Sequence, residues 1–150
     1  KYTVHYAETM EIPYAIANKW RKEKDKSNII GIVGDLKDIK AAIITDDETV
    51  TGSSLLNTVK TLYKNHGIEE TYIAVSHLKI KNKYLDGFIR ANKKWGLKEL
   101  HITNSIPQPG YINNLDFVKI HSLSCLFAAV INRLHYNMSI SDIFNGQQIT

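Results

Sequence analysis

The stretch IITDDETVTGSS, residues 43–54, joins an apolar run to a helix through an acidic loop, and it decides the fold class. The apolar run, residues 41–45, predicts a buried strand that ends at the three acidic residues 46–48. Apolar residues recur at helical spacing over residues 55–63, and Gly67 follows where helices commonly end. A strand that passes through a loop into a helix is the first half of a βα unit, from which parallel sheets are built.

The same alternation of strand and helix continues on both sides of this stretch. Alternating strands and helices predict an α/β fold, with a mostly parallel sheet flanked by helices on both faces. Residues 19–28 are dense in charge and lack an apolar period, so a solvated loop is expected there. The further strands are predicted at residues 14–17, 29–33, 71–76, 100–103 and 118–120, the further helices at 85–95 and 123–134, and short or weak elements at 1–10 and 139–144.

Length and composition place the chain among single-domain globular proteins. It has 150 residues and a net charge of +4, a mild basic balance that suits an anionic ligand. No basic face with interleaved aromatic residues appears, so no nucleic-acid partner is predicted. No run approaches the roughly 18 apolar residues that a membrane span needs, so no membrane role is predicted. The single cysteine, Cys125, cannot form an internal disulfide, which predicts a reducing compartment and a cytoplasmic location.

The acidic loop carries the clearest candidate binding site. Ligands of open α/β sheets bind beyond the carboxyl ends of the strands. Carboxylates there can accept hydrogen bonds from vicinal sugar hydroxyls, while a glycine turn opening into a helix offers N–H groups to a phosphate. Together they describe a ribose 5-phosphate site, although a helix cap beside solvated acids is the alternative. The residues predicted to bind are Asp46, Asp47, Thr51, Gly52, Ser53 and Ser54.

This pattern resembles the signature of the type I phosphoribosyltransferase fold. Three further segments resemble successive landmarks of ribose-phosphate pyrophosphokinase, also called phosphoribosyl pyrophosphate synthetase. They read IIGIVGD at residues 29–35, ITNSIP at 102–107 and HSLSCLFAAVINRLHYNMSISDIF at 121–144, and they occur in the family's order. The resemblance covers nearly the whole chain and matches the C-terminal half of that two-domain enzyme. It implies that residues 1–150 form one phosphoribosyltransferase-like domain of a longer protein.

The resemblance also implies an activity. The family transfers the diphosphoryl group of ATP to O1 of ribose 5-phosphate, with Mg²⁺, to make phosphoribosyl pyrophosphate for nucleotide biosynthesis. Lys19 and Arg21 match basic residues of the family's mobile catalytic loop, whereas Trp20 departs from the pattern. The implied partners are ATP, ribose 5-phosphate, a phosphate or sulfate ion, and further copies of the chain in a homo-oligomer. The Mg²⁺ ligands are expected outside this fragment, so no metal ligand is predicted here.

One departure keeps two other functions open. The family has an aspartate directly before the threonine of the ribose-phosphate loop, and this chain has Val50, which cannot accept a proton or bind a hydroxyl. A catalytically impaired, regulatory paralogue of the synthetase is one alternative. A phosphoribosyltransferase that consumes phosphoribosyl pyrophosphate is the other. Elsewhere, Cys125 is predicted to be a buried small side chain, and His77 is assigned a structural role.

Overall fold

The computed structural model describes residues 2–23 and 26–144 of the chain, with strands and helices alternating along most of its length. Most helices and strands lie close to the predicted positions, with one additional helical turn at Gly110–Asn113. The strands are β1 (Ile16–Glu23), β2 (Lys26–Val33), β3 (Ala41–Thr49), β4 (Glu70–Leu78), β5 (Leu97–Thr103) and β6 (Val118–His121). The helices are α1 (Tyr2–Thr9), α2 (Ser53–His66), α3 (Asn82–Lys94), α4 (Gly110–Asn113), α5 (Ser124–His135) and α6 (Ser141–Phe144).

The central sheet contains four strands in the order β3-β4-β5-β6, and every neighbouring pair is parallel. Parallel neighbours need a crossover connection, so the chain returns along one face of the sheet between successive strands. The helices α2 and α3 form the two longest crossovers. The carboxyl ends of all four strands therefore meet at one edge. The predicted α/β fold with a parallel sheet flanked by helices is confirmed.

The hydrophobic core lies between the sheet and the helices α2 and α3. Val59 from α2 and Phe88 from α3 are fully buried against Ile73 of β4. Burying one such side chain stabilises the fold by roughly 1.5–3 kcal/mol. The helix α1 lies beside β3, where the Oγ1 atoms of Thr3 and Thr45 are 2.8 Å apart.

Residues 19–23 and 26–28 of the charged segment lie in strands, so the prediction of a loop is wrong for these residues. The strand β1 runs on to Glu23 and pairs antiparallel with β2, in a register that begins with Ile16 opposite Val33. The pairing has irregularities at Asn18/Lys19 and at Arg21/Glu23. Backbone hydrogen bonds hold such a pair whatever the side chains are, so a run of charged residues can still form a ladder.

The strand β3 extends further than its apolar residues suggest. Glu48 pairs with His77 and Thr49 with Leu78, so the ladder to β4 carries the acidic residues inside the strand. The predicted end at residue 45 is therefore four residues too early. A strand ends where its pairing ends, and the polarity of the side chains is a weaker signal.

The apolar stripe of α5 does not enter the core. None of its residues is buried, and Phe127, Ile131 and Leu134 are 56%, 65% and 59% exposed. Cys125, on the same helix, is exposed as well, so the prediction that it is buried is wrong. Helical periodicity marks a face that can be buried, but it does not say which surface covers that face.

Candidate functional site

The carboxyl end of β3 presents three consecutive acidic side chains. Asp46 is partly buried, whereas Asp47 and Glu48 are exposed. An oxygen of Asp46 accepts a hydrogen bond from the Asp47 N–H at 3.2 Å, and an oxygen of Asp47 accepts one from the Glu48 N–H at 2.8 Å. These contacts turn the carboxylates back along the chain and fix them at the edge of the sheet.

The backbone around Asp47 favours its ionised form. The N–H of Glu48 lowers the pKa of the Asp47 carboxyl below its ordinary value. Smaller effects in the same direction come from the N–H of Asp47, the side chain of Asp46 and the charge of His77. A carboxylate that stays ionised is an acceptor for hydroxyl protons at any physiological pH. This chemistry suits the vicinal hydroxyls of a sugar.

The turn after β3 is built around Gly52, the residue that precedes α2. Gly52 has a φ of 70°, a left-handed conformation that side chains disfavour. A Cβ atom at this position would lie 2.3 Å from Cε2 and 2.4 Å from Cζ of Phe88, whose ring is fully buried. The turn thus rests directly on the core, and only glycine fits there.

Hydroxyl groups hold this turn in shape. Thr49 is buried, and its Oγ1 accepts a hydrogen bond from the Gly52 N–H at 3.0 Å. Thr51 Oγ1 accepts one from the Ser53 N–H at 3.3 Å and lies 2.9 Å from Ser53 Oγ. The loop is therefore folded in advance around the start of a helix.

The N-terminus of α2 has groups to offer an anion. The helix has no side-chain cap, and the first N–H groups of a helix have no acceptor within it. Ser54 Oγ is buried and has no hydrogen-bond partner among the residues that the structure describes. A buried hydroxyl without a partner costs roughly 1–3 kcal/mol. Phosphate oxygens at this point would accept hydrogen bonds from both the backbone and the hydroxyls.

Residues of the neighbouring strands extend the site along the edge of the sheet. Lys79 forms an ion pair with Glu48, and both side chains are about half exposed. His77 is exposed, and its Nδ1 lies 2.8 Å from Ser105 Oγ. Ser105 follows β5, the next strand in the sheet. Sequence reasoning missed these contacts, although the rule that sites lie at the carboxyl ends of adjacent strands points to all three strands.

A cleft of about 800 Å³ lies beside this site, between the β1–β2 pair and the open edge of β3. Apolar side chains form most of its wall, including Ile12, Ala15 and Ile43. It reaches the site at Thr45 and Asp46. A phosphate needs hydrogen-bond donors, so the loop at residues 51–54 suits the phosphate and the cleft does not.

The chain matches one known protein family over almost its whole length. The model of the family described as "Phosphoribosyl synthetase-associated domain" matches residues 4–145. The chain belongs to this family. We therefore interpret the loop at residues 43–54 by comparison with members of this family.

Among curated proteins, this synthetase-family chain is similar to two bacterial ribose-phosphate pyrophosphokinases. It is 32% identical over 140 residues to that of Caldanaerobacter subterraneus subsp. tengcongensis, covering 93% of this chain and 42% of the relative. It is also 32% identical over 147 residues to that of Clostridium acetobutylicum, covering 98% of this chain and 44% of the relative. The chain thus spans less than half the length of the relatives it matches.

A solved structure supports the same fold for this synthetase-family chain. The phosphoribosylpyrophosphate synthetase of Mycobacterium smegmatis aligns with a TM-score of 0.68 at 22% identity. The alignment covers 89% of this chain and 40% of the mycobacterial chain. At this identity the likeness concerns the fold alone.

The structure places six of the predicted site residues together. All of them lie within one continuous strand–turn–helix segment, from the end of β3 to the first turn of α2. Lys19 and Arg21 lie in β1, but their side chains are outside the described part of the structure, so the prediction that they act on phosphates stays a prediction. The six residues that come together are Asp46, Asp47, Thr51, Gly52, Ser53 and Ser54.

Val50 lies between the two halves of this segment and is 52% exposed. Its side chain has no acceptor for a hydroxyl. Within residues 2–23 and 26–144, no group of three or more His, Cys, Asp or Glu side chains is arranged to hold a metal ion. None of the described helices is long and apolar enough to cross a membrane.

Proposed function

We propose that this chain is the ribose 5-phosphate-binding half of a ribose-phosphate diphosphokinase. In this proposal the complete enzyme transfers a diphosphoryl group from ATP to O1 of ribose 5-phosphate and supplies phosphoribosyl pyrophosphate for nucleotide biosynthesis. One observation carries it: an ionised acidic strand end and an uncapped helix N-terminus stand on either side of a glycine turn that is fixed to the core. Those two ends suit the diol and the phosphate of one ligand.

The chemistry assigns a role to each end of the loop. Asp46 and Asp47 accept hydrogen bonds from the ribose hydroxyls. The N–H groups that open α2, with the hydroxyls of Thr51, Ser53 and Ser54, donate to the 5-phosphate. The pre-folded turn contributes because no ordering of the loop is needed when the ligand arrives, and this reduces the entropic cost of binding.

Lys19 and Arg21 are proposed as the residues that neutralise the transferring phosphates. Phosphoryl transfer depends on positioning and on charge stabilisation at the phosphate oxygens. A lysine provides a point charge, and an arginine provides a planar fork that matches two oxygens at once. Mg²⁺ supplies further charge neutralisation when it is bound with ATP, and the described residues offer no cluster that would hold it.

The remaining parts of the proposal come from the family. Residues 1–150 are taken as one domain of a longer protein, because the chain covers 42% of its relative from Caldanaerobacter subterraneus. The ATP site is assigned to the part of the relatives that this chain does not cover. Assembly as a homo-oligomer and a cytoplasmic location are proposed on the same basis.

The experiment is isotope transfer by the full-length protein. ATP labelled in its β-phosphate is incubated with ribose 5-phosphate, Mg²⁺ and inorganic phosphate, and labelled phosphoribosyl pyrophosphate is measured. The Asp46→Asn and Asp47→Asn variants serve as matched controls. The proposal expects transfer by the wild-type protein and a large loss in both variants. No transfer by a folded wild-type protein contradicts it.

Val50 favours a second candidate function, a family member that binds ribose 5-phosphate without catalysing the transfer and that assembles with an active synthetase. Its exposed position at the loop leaves room for the carboxylate that the family has there. Val50→Asp separates the two candidates in the same assay. A gain of activity from a low wild-type level supports the non-catalytic candidate, and full activity in the wild-type protein eliminates it.

A further inference from the structure

His77 lies at the same edge of the sheet as the acidic strand end, although the loop signature does not include it. His77 is the second-to-last residue of β4, and it pairs with Glu48 of β3 in the parallel register. Its ring is exposed. The charge of His77 is felt at Asp47, whose pKa it lowers. His77 is therefore a close neighbour of the residues assigned to the sugar hydroxyls.

Ser105 and its neighbours fix the orientation of the imidazole. The Ser105 hydroxyl donates to the Ser76 carbonyl at 2.9 Å, and the Thr103 hydroxyl donates to the same carbonyl at 2.7 Å. Thr103 Oγ1 also accepts the Ser105 N–H at 3.2 Å. These contacts anchor Ser105 Oγ to the backbone of two strands, and His77 Nδ1 lies 2.8 Å from it.

The Ser105 hydroxyl lies within hydrogen-bonding distance of two acceptors, the Ser76 carbonyl at 2.9 Å and His77 Nδ1 at 2.8 Å. When it donates its single proton to the carbonyl, its oxygen accepts from His77, and neutral His77 then carries its proton on Nδ1 and a lone pair on Nε2. No described residue forms a hydrogen bond with Nε2 in this arrangement, so Nε2 is available as an acceptor.

We propose that His77 contacts the bound sugar phosphate and that its Nε2 accepts a hydrogen bond from a ribose hydroxyl, with Ser105 as the residue that positions the ring. This inference rests on the proposed function and adds a residue to that site. A hydroxyl acceptor on β4 complements the carboxylates on β3, and Val50 in the loop offers none. Ribose hydroxyls would then be held from two adjacent strands.

The proposal predicts a pH dependence with a definite sign. A proton on Nε2 removes the acceptor, so the affinity for ribose 5-phosphate is expected to be lower when the ring is protonated than when it is neutral. The charged groups near the ring are Asp47 and Glu48 from β3 and Lys79, which directly follows β4. The ligand phosphate titrates in a similar range, so the affinity is read as a ratio to a variant that lacks the imidazole.

The test is calorimetric titration of the full-length protein with ribose 5-phosphate at several pH values. In His77→Asn the side-chain amide can still reach Ser105 but lacks Nε2, and the affinity is expected to fall about threefold to tenfold at high pH. In His77→Gln the amide oxygen can take the place of Nε2. Most of the affinity for ribose 5-phosphate is therefore expected to return, but without the pH dependence that the imidazole causes. Ser105→Ala is expected to weaken binding, and His66→Asn, at the far end of α2, is the matched control.

The outcomes separate this inference from the function on which it rests. If the wild-type protein does not bind ribose 5-phosphate, the proposed function fails. If it binds and His77→Asn binds equally well at every pH, the role of His77 fails and the site stands. Imidazole ¹⁵N chemical shifts give a second readout that needs no ligand. They are expected to show a proton on Nδ1 of neutral His77, and a proton on Nε2 overturns the proposal.

Discussion

Replacing Gly52 by alanine tests whether the binding turn is fixed by the core. The new Cβ meets two penalties. A φ of 70° costs a residue with a side chain about 1–2 kcal/mol. The Cβ would also lie 2.3 Å from the ring of Phe88, which is fully buried, and overpacking of this kind costs about 1–3 kcal/mol. Together the free energy of unfolding is expected to fall by about 2–5 kcal/mol.

Gly67, which ends α2, is the matched control for this substitution. It has almost the same φ, 68°, but no atom lies within 4 Å of the Cβ that alanine would add. Gly67→Ala should therefore cost only the conformational part, about 1–2 kcal/mol. Both variants are compared by urea unfolding. The contact with Phe88 is then isolated as the difference between the two costs.

A double-mutant cycle with Phe88→Leu completes the test, because the shorter side chain makes room for the new Cβ. The cost of Gly52→Ala should then fall towards the cost of Gly67→Ala. Equal costs for Gly52→Ala and Gly67→Ala in the wild-type background would refute the reasoning. They would mean that the ring of Phe88 does not set the shape of the turn.

Three further predictions concern the residues around the turn. Ser54→Ala removes an unpartnered buried hydroxyl, so stability should be unchanged or higher while phosphate affinity, measured by calorimetry, drops roughly 10- to 100-fold; unchanged affinity contradicts the assignment. The N–H of Glu48 lowers the pKa of Asp47, so the stability that this carboxylate contributes is complete above the ordinary pKa of an aspartate and is lost as the pH falls through the lowered pKa; urea unfolding of Asp47→Asn against wild type should show a difference that shrinks only in that acidic range, and a constant difference is inconsistent with it. The half-exposed Glu48–Lys79 pair should couple by less than about 1 kcal/mol in a double-mutant cycle, and a larger coupling would show that the pair is structural.

The parts of the fold that are local in sequence could be predicted. The loop at residues 43–54 is one continuous strand–turn–helix segment, so the residues that form it are neighbours in the chain as well as in space. Gly67 at the end of α2 is a similar case, since helix ends are encoded within a few residues. The spacing of apolar residues was also enough to predict that strands and helices alternate and that the sheet is mostly parallel.

The parts that depend on strand pairing could not be predicted in this way. His77 and Ser105 are 28 residues apart, and they meet only because β4 and β5 are adjacent in the sheet. The acidic end of β3 belongs to a strand because Glu48 and Thr49 find partners on β4, which their own polarity does not reveal. His101 and His121, on β5 and β6, likewise lie 2.9 Å apart without any sequence signal.

The apolar stripe of α5 illustrates a different limit. Its periodicity gave the helix correctly, but Phe127 and Ile131 are more than half exposed. A periodic pattern reports how a helix would be buried and carries no information about the surface that covers it. The identity of that surface depends on parts of a protein that are distant in sequence.

The most direct test of the central claim is the binding of ribose 5-phosphate to the full-length protein, measured by calorimetry beside ribose and inorganic phosphate. If the loop holds a diol at one end and a phosphate at the other, ribose 5-phosphate binds more tightly than either fragment. Asp47→Asn then weakens ribose 5-phosphate while leaving inorganic phosphate nearly unchanged, and Ser54→Ala weakens both. Equal affinity for ribose 5-phosphate and inorganic phosphate, unaffected by Asp47→Asn, would contradict the claim.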